Sequence, residues 1–172
     1  TSPLVGSDSQ GTSYTGTVSL VNKSPLMRQG VLVNPRDVLL TLSGGGNTVT
    51  VISTGYWDDT GLLQAIEVQP TGLTCTPVSP DAAPTQVKIG DFGVRSTLTC
   101  SDSTTQAITW VVEDAGNGNI FLVTTGTVKN INGTTTITAE IVYTINGSGE
   151  VIAFDTDTRL IQENFSLNYS ST

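Results

Sequence analysis

The sequence contains no histidine, and this absence removes several classes of reaction. A Ser-His-Asp triad, a Cys-His dyad and a His-ligated zinc or copper site all require an imidazole. None of them can be built from this chain alone. Because the remaining chemistry is that of carboxylates, hydroxyls and a few aromatic rings, we expect a protein that is not an enzyme and that carries no cofactor.

Basic residues are scarce as well: seven Lys and Arg stand against fifteen Asp and Glu, for a net charge of −8. Such a surface repels phosphate backbones and anionic membranes over roughly 8 Å at physiological salt, so we predict no nucleic-acid partner. No apolar run approaches the roughly 20 residues of a membrane-spanning helix. The chain starts at Thr1 rather than at Met, and we expect that a leader, with or without a lipid anchor, preceded it.

Cys75 and Cys100 are the only cysteines, and they lack both C-x-x-C spacing and a His partner. We predict a structural disulfide, with two buried free thiols as the alternative. We also expect Trp110, with Ile108 and Val112, to face inward near the bridge. An even cysteine count, few Lys, and many Thr and Gly fit an oxidising compartment, so we expect a secreted, periplasmic or cell-surface protein.

The abundant residues favour β-strands: there are 29 Thr, and apolar side chains alternate with polar ones along most of the chain. The clearest strand is Thr134–Ile145. Its odd-numbered residues from Ile137 to Ile145 share one face, and its even-numbered residues from Thr136 to Thr144 share the other. Further alternating segments are Thr15–Asn22, Val31–Asn34, Val38–Leu42, Thr48–Ser53, Leu62–Gln69, Val94–Cys100 and Phe165–Tyr169. We find no helix, and predict an all-β antiparallel meander forming a β-sandwich or barrel.

Asn-Gly pairs favour tight hairpin turns, since both positions of such a turn need a positive φ. We predict two-residue turns at Asn132-Gly133 and Asn146-Gly147, and turns of the same kind within Gly116–Asn119 and Gly44–Asn47. These turns make the chain from Phe92 to Tyr169 a run of about five antiparallel strands.

Three prolines, Pro77, Pro80 and Pro84, indicate a loop over residues 76–85. We expect a single domain, 1–172, with a short flexible N-terminus over about residues 1–12. The alternative is two small β subdomains, 12–75 and 85–170, joined by this loop.

The segment Tyr56-Trp57-Asp58-Asp59 is the best candidate for ligand binding, because a sugar ring can stack on an aromatic face while carboxylates accept its hydroxyl protons. The competing interpretation is that Trp57 anchors the core and Tyr56 covers its edge. In a strand the two rings point to opposite faces, so only one need be buried.

Two sets of carboxylates are candidates for catalysis or metal binding. Asp59-Thr60-Gly61 matches the tripeptide of aspartic proteases, but the chain has no second copy, and an acidic surface turn explains it as well. Asp155 and Asp157 lie two residues apart on one face of a predicted strand, a spacing that suits glycoside hydrolysis or a cation. The simpler interpretation is a polar outer face, and we predict no metal site.

Three functions from different classes remain. The first is a non-catalytic secreted or cell-surface β module with a structural or protein-binding role, whose strands serve as scaffold or as edges for strand addition. The second is a carbohydrate-binding module that uses Trp57 or Tyr56 with the neighbouring carboxylates. The third is a carboxylate-dependent hydrolase. The expected partner is therefore a protein or a glycan at the cell surface.

Overall fold

The computed structural model describes residues 1–80 and 86–171, and in these residues the chain forms strands and no helix. The strands are β1 (Ser2–Asp8), β2 (Ser13–Asn22), β3 (Leu26–Arg28), β4 (Val31–Gly44), β5 (Asn47–Asp58), β6 (Leu63–Gln69), β7 (Leu73–Pro80), β8 (Phe92–Cys100), β9 (Thr105–Gly116), β10 (Asn119–Lys129), β11 (Thr135–Ile145), β12 (Val151–Leu160) and β13 (Phe165–Ser171).

The sheet closes on itself as a barrel. Each strand from β4 to β13 pairs antiparallel with the next along the chain, β13 pairs with β1, β1 with β2, and β2 with β4. Twelve of the described strands form the closed ring, and β3 is an additional strand paired with β4. The predicted all-β antiparallel fold is confirmed. No helix in the described chain is long and apolar enough to cross a membrane.

One face of the sheet is apolar and turns inward. Residues directly opposite each other on paired strands share a face. Tyr143 lies opposite both Leu122 and Phe154, and Leu122 lies opposite Val112. Val112 is 1% exposed, which places this face on the inside of the barrel. The alternation read from the sequence of β11 is therefore the alternation between barrel interior and outer wall.

The predicted disulfide is present. Cys75 on β7 lies directly opposite Cys100 on β8, and their sulfur atoms are bonded at 2.01 Å. Both cysteines are buried with Leu63 and Leu98 in the main apolar cluster. Trp57, Ile66, Leu73 and Ile108 pack around it. Ile108 thus lies near the bridge, as expected.

Four hairpins are closed by the same five-residue loop, which starts with Asp or Asn and has glycine at its fourth position. In each loop, Oδ1 of the first residue accepts hydrogen bonds from the backbone N–H groups two and four positions later. The glycine takes a positive φ, which other residues adopt only with strain. The loops are Asp8–Thr12, Asp58–Leu62, Asn130–Thr134 and Asn146–Glu150.

The prediction of two-residue turns at Asn132-Gly133 and Asn146-Gly147 is therefore wrong. Asn130 and Asn146 each bind the backbone of a longer loop through their side chains, and this contact outweighs the local preference of the Asn-Gly pair. The other two predicted hairpin turns are two-residue turns, at Asn117-Gly118 and Gly45-Gly46, where both residues have positive φ.

Two segments predicted to lack regular structure contain strands. Residues 1–12 include β1, which is paired on both sides instead of forming a flexible terminus. The prolines at 77 and 80 lie within β7, which pairs with β8 over Cys75–Pro80 but with β6 only over Leu73–Cys75. Beyond Cys75 this strand has a free edge in the described chain, where a missing N–H costs little.

The rest of the predicted loop, residues 81–85, lies outside the described residues. The strands before and after it, β7 and β8, are neighbours in the same sheet, and the disulfide joins them. The choice between one domain and two subdomains stays a prediction.

Bulges and changes of partner account for two further differences. A register shift between Val94 and Ser96 turns Val94 outward, where it is 53% exposed, while Leu98 and Cys100 stay inside as predicted. The segments Val31–Asn34 and Val38–Leu42 are one strand, β4. Pro35 is tolerated within it because it lies where β4 changes its partner from β3 to β2.

Candidate functional site

A cleft of about 510 Å³ opens at the end of the barrel where β5 turns into β6 and β2 runs on towards β3. Three of the four residues predicted to bind a ligand line it: Trp57, Asp58 and Asp59. Lys23, Arg36 and Arg95 line it too, and we call it the basic cleft for these three side chains. They are three of the seven Lys and Arg residues of an acidic chain.

Trp57 lies along the inner wall of the barrel. A methyl group on Gly55 would collide with its ring, so the indole covers this glycine. It also packs against the apolar cluster around Leu98, and the guanidinium of Arg36 lies 5.7 Å from the ring centre. Because the ring is half-buried between these groups, only part of it is available to a ligand.

Tyr56 faces the outer wall and does not line the basic cleft. Its hydroxyl donates to Oε2 of Glu67 at 2.8 Å, and Nη1 of Arg28 donates to Oε1 of the same carboxylate at 2.7 Å. The Arg28 guanidinium lies 4.4 Å from the Tyr56 ring centre. Arg28 reaches Glu67 from β3, although β4 and β5 separate their strands in the sheet, so the hairpin of β3 and β4 curls over the outer wall.

This contact set shifts the ionisation of its members. The hydrogen bond from Tyr56 holds the pKa of Glu67 below its usual 4.5. Burial opposes this shift, and the charge of Arg28 adds to it. Burial and the carboxylate raise the pKa of Tyr56. Folding therefore favours the ionised form of Glu67, and its contribution to stability is lost as the pH falls through the lowered pKa.

We expect Glu67→Gln to lower the free energy of unfolding by about 1 kcal/mol at pH 7. The effect is small because water partly solvates and screens the ion pair between Arg28 and Glu67. The melting temperatures of the two proteins should converge as the pH falls below about 4.5, because protonated Glu67 also lacks the charge. Melting curves from pH 7 to pH 3 measure this, with the exposed Glu163→Gln as control. A gap that is the same at every pH would show that ionised Glu67 is not its source.

Asp58 is committed to its own loop. Its Oδ1 accepts hydrogen bonds from the N–H groups of Thr60 and Leu62, and its Oδ2 accepts from the side chain of Gln64. The hydrogen bond from the Thr60 hydroxyl, against burial and with these backbone bonds, lowers the pKa of Asp58. Asp59 is exposed at the rim, so of the two carboxylates it is the one open to a ligand.

The tripeptide Asp59-Thr60-Gly61 belongs to this five-residue loop, the type that also closes three other hairpins. The recurring pattern of Asp or Asn with glycine three residues later is visible in the sequence and would have identified the loop. The carboxylate that binds the loop is that of Asp58, the residue before the tripeptide.

The basic side chains of the cleft were not singled out from the sequence. Arg36 lies on β4, and its Nε donates to Oδ1 of Asn22 on β2 at 2.9 Å. Arg95 lies at the bulge of β8. Lys23 forms an ion pair of 2.7 Å with Asp37, whereas Arg36 and Arg95 form no ion pair with any described residue. Only barrel closure brings these positions together, and no local pattern signals it.

Asp155 and Asp157 lie on the outer wall, on the same face of β12 as predicted. Asp157 forms an ion pair with Arg159 at 2.7 Å and lines a second cleft, of about 660 Å³, between β12, β13 and the loop after β1. In the described residues, no group of three or more Cys, Asp or Glu side chains is placed to hold a metal ion.

Exposed apolar side chains concentrate on β2, β3 and the first part of β4. Seven of the eighteen exposed large apolar residues of the described chain lie there, and we call them the apolar hairpin: Leu20, Val21, Leu26, Met27, Val31, Leu32 and Val38. Leu20 is 67% exposed and Met27 64%. Strand pairing places Leu20 opposite Val38 and Met27 opposite Leu32, and these four side chains lie on the same face of the sheet. An exposed apolar face of this kind, unlike single exposed residues, marks an interaction surface.

The apolar hairpin also carries a free strand edge. The pairing of β1 with β2 ends at Ser2 and Val18, and β3 pairs only with β4. On the side away from β4, the stretch Leu20–Arg28 therefore has no strand partner in the described chain.

No known protein family, curated protein or solved structure matches the chain.

Proposed function

We propose that the protein is a non-catalytic β-barrel module that acts outside the cytoplasm and binds a partner protein through the apolar hairpin. The observation that carries the proposal is the coincidence of exposed apolar side chains and a free strand edge on the same segment. Backbone pairing to such an edge supplies affinity, and alternating side chains supply specificity. The disulfide supports the extracytoplasmic location.

The geometry of β3 identifies the backbone groups that would pair with the partner. Gln29 and Gly30 both have positive φ and form a two-residue turn. The residues flanking such a turn, Arg28 and Val31, are hydrogen-bonded to each other, so the N–H and C=O of Met27 point away from β4. The partner is an extended segment with alternating apolar residues.

We expect Met27→Pro to weaken binding of such segments by about tenfold or more, because proline removes the outward N–H and is tolerated at a strand edge. Peptides selected from a random display library on the wild-type protein provide the ligands, and calorimetry the affinities. Met27→Leu, which keeps the N–H and the apolar side chain, is the matched control. Equal affinity of the selected peptides for the two variants would contradict strand addition at β3.

A second function has its own supporting observation. The basic cleft joins the half-buried Trp57 ring to exposed polar side chains, including Asp59, and this favours saccharide binding there over binding at Tyr56.

A further inference from the structure

We propose that the ligand of the basic cleft is a saccharide bearing a carboxylate, of the hexuronic acid type. The inference deepens the second proposed function and rests on it. This ligand differs in charge from the one expected from the sequence, which was a neutral sugar bound by carboxylates of the protein. The recognition groups are instead the guanidinium groups of Arg36 and Arg95.

Arg36 is held in place for an anion. The bond from its Nε to Asn22 Oδ1 fixes the plane of the guanidinium, and no described carboxylate pairs with its Nη groups. A planar guanidinium with free Nη donors matches the two oxygens of a carboxylate, and such charge-assisted bonds are stronger than neutral ones. Arg36 is exposed, so an anion in the cleft can reach it.

Arg95 reaches the same cleft from β8, whereas Arg36 reaches it from β4. The register shift in β8 places it beside residues of β4 and β5, far from it in sequence. Neither guanidinium group forms an ion pair with a described residue, so both can donate to a bound anion.

The rest of the cleft suits a hydroxylated ring. The amide of Asn34 and the carboxylate of Asp59 are exposed at its rim and can exchange hydrogen bonds with hydroxyl groups. The accessible part of Trp57 offers an apolar surface for the C–H groups of the ring. Asp59 also disfavours ligands with a second negative charge near it, so a single carboxylate fits better than a phosphate.

The test is a nuclear magnetic resonance titration of the full chain with three probes: glucuronate, glucose and propionate. The side-chain signals of Trp57 and of the arginine Nε groups report on the cleft. We expect these shifts to show that glucuronate binds at least about tenfold more tightly than glucose or propionate. Arg36→Gln with Arg95→Gln should remove this preference, whereas the outer-wall Arg159→Gln should leave it unchanged. Melting curves establish that the variants fold.

The outcomes separate the two claims. Equal binding of glucose and glucuronate would overturn the charge preference and leave saccharide binding standing. Equal binding of propionate and glucuronate would show carboxylate binding without recognition of the ring and overturn the saccharide ligand. Absence of binding by all three would overturn both. Glucuronate binding that persists in the double variant would overturn the assignment to Arg36 and Arg95.

Discussion

Reduction of the Cys75–Cys100 disulfide is expected to lower the free energy of unfolding by about 3.5 kcal/mol, the loop-closure entropy of a loop of about 26 residues. For a domain of this size the melting temperature should fall by roughly 7–14 °C. The loss should be large because the bridge is buried in the main apolar cluster and joins β7 to β8 where β7 begins to lose its pairing with β6.

Melting curves with and without reductant measure this effect, and thiol titration of the denatured protein without reductant should detect no free thiol. The double variant Cys75→Ala with Cys100→Ala controls for side reactions of the reductant. Two titratable thiols in unreduced protein, or an unchanged melting temperature on reduction, would contradict the role of the bridge.

Truncation of Trp57 to alanine should cost about 3 kcal/mol, near the lower end for core aromatic residues because the ring is half-buried. Gly55→Ala should also destabilise the fold, since its methyl group would collide with the Trp57 ring. In the Trp57→Ala background the same Gly55 substitution should cost at least about 1 kcal/mol less than in the wild type, because the ring with which the methyl group would collide is absent.

A double-mutant cycle of unfolding free energies measures this coupling. Gly93→Ala, which approaches Trp110 at 3.0 Å, is a matched control that should show no coupling to Trp57. A Trp57→Ala variant as stable as the wild type would mean that the ring is a solvent-exposed platform, as the carbohydrate-binding alternative first assumed.

The fold could be predicted where the alternation of apolar and polar residues in the sequence matches the strand pairing of the barrel. The alternation in β11 and β13, the paired cysteines and the absence of helix are local signals, and each one corresponds to a feature of the barrel. Predictions failed where a tertiary contact overrides a local preference. Pro77 lies in a strand because the pairing of β7 with β6 stops at Cys75, and Val94 turns outward at a bulge that the sequence does not mark.

The candidate site was predictable only in part. Tyr56-Trp57-Asp58-Asp59 stands out by composition, yet the four side chains do different things: one faces the outer wall, one the core, one its own loop and one the cleft rim. Arg36 and Arg95 carry no local signal, since only the closure of the sheet brings β4 and β8 to one cleft. The repeated Asp or Asn loop was readable from the sequence and defines the role of Asp58.

Site-specific photo-crosslinking in the cells that produce the protein tests most directly whether the apolar hairpin binds a partner. A benzophenone amino acid at Met27 should give one defined adduct, and Leu26→Ser in the same protein should remove it. The same probe at Ile131, which is 78% exposed in the loop between β10 and β11 at the opposite end of the barrel, should give none. Adducts of equal yield at both positions, or none at Met27, would contradict the proposal.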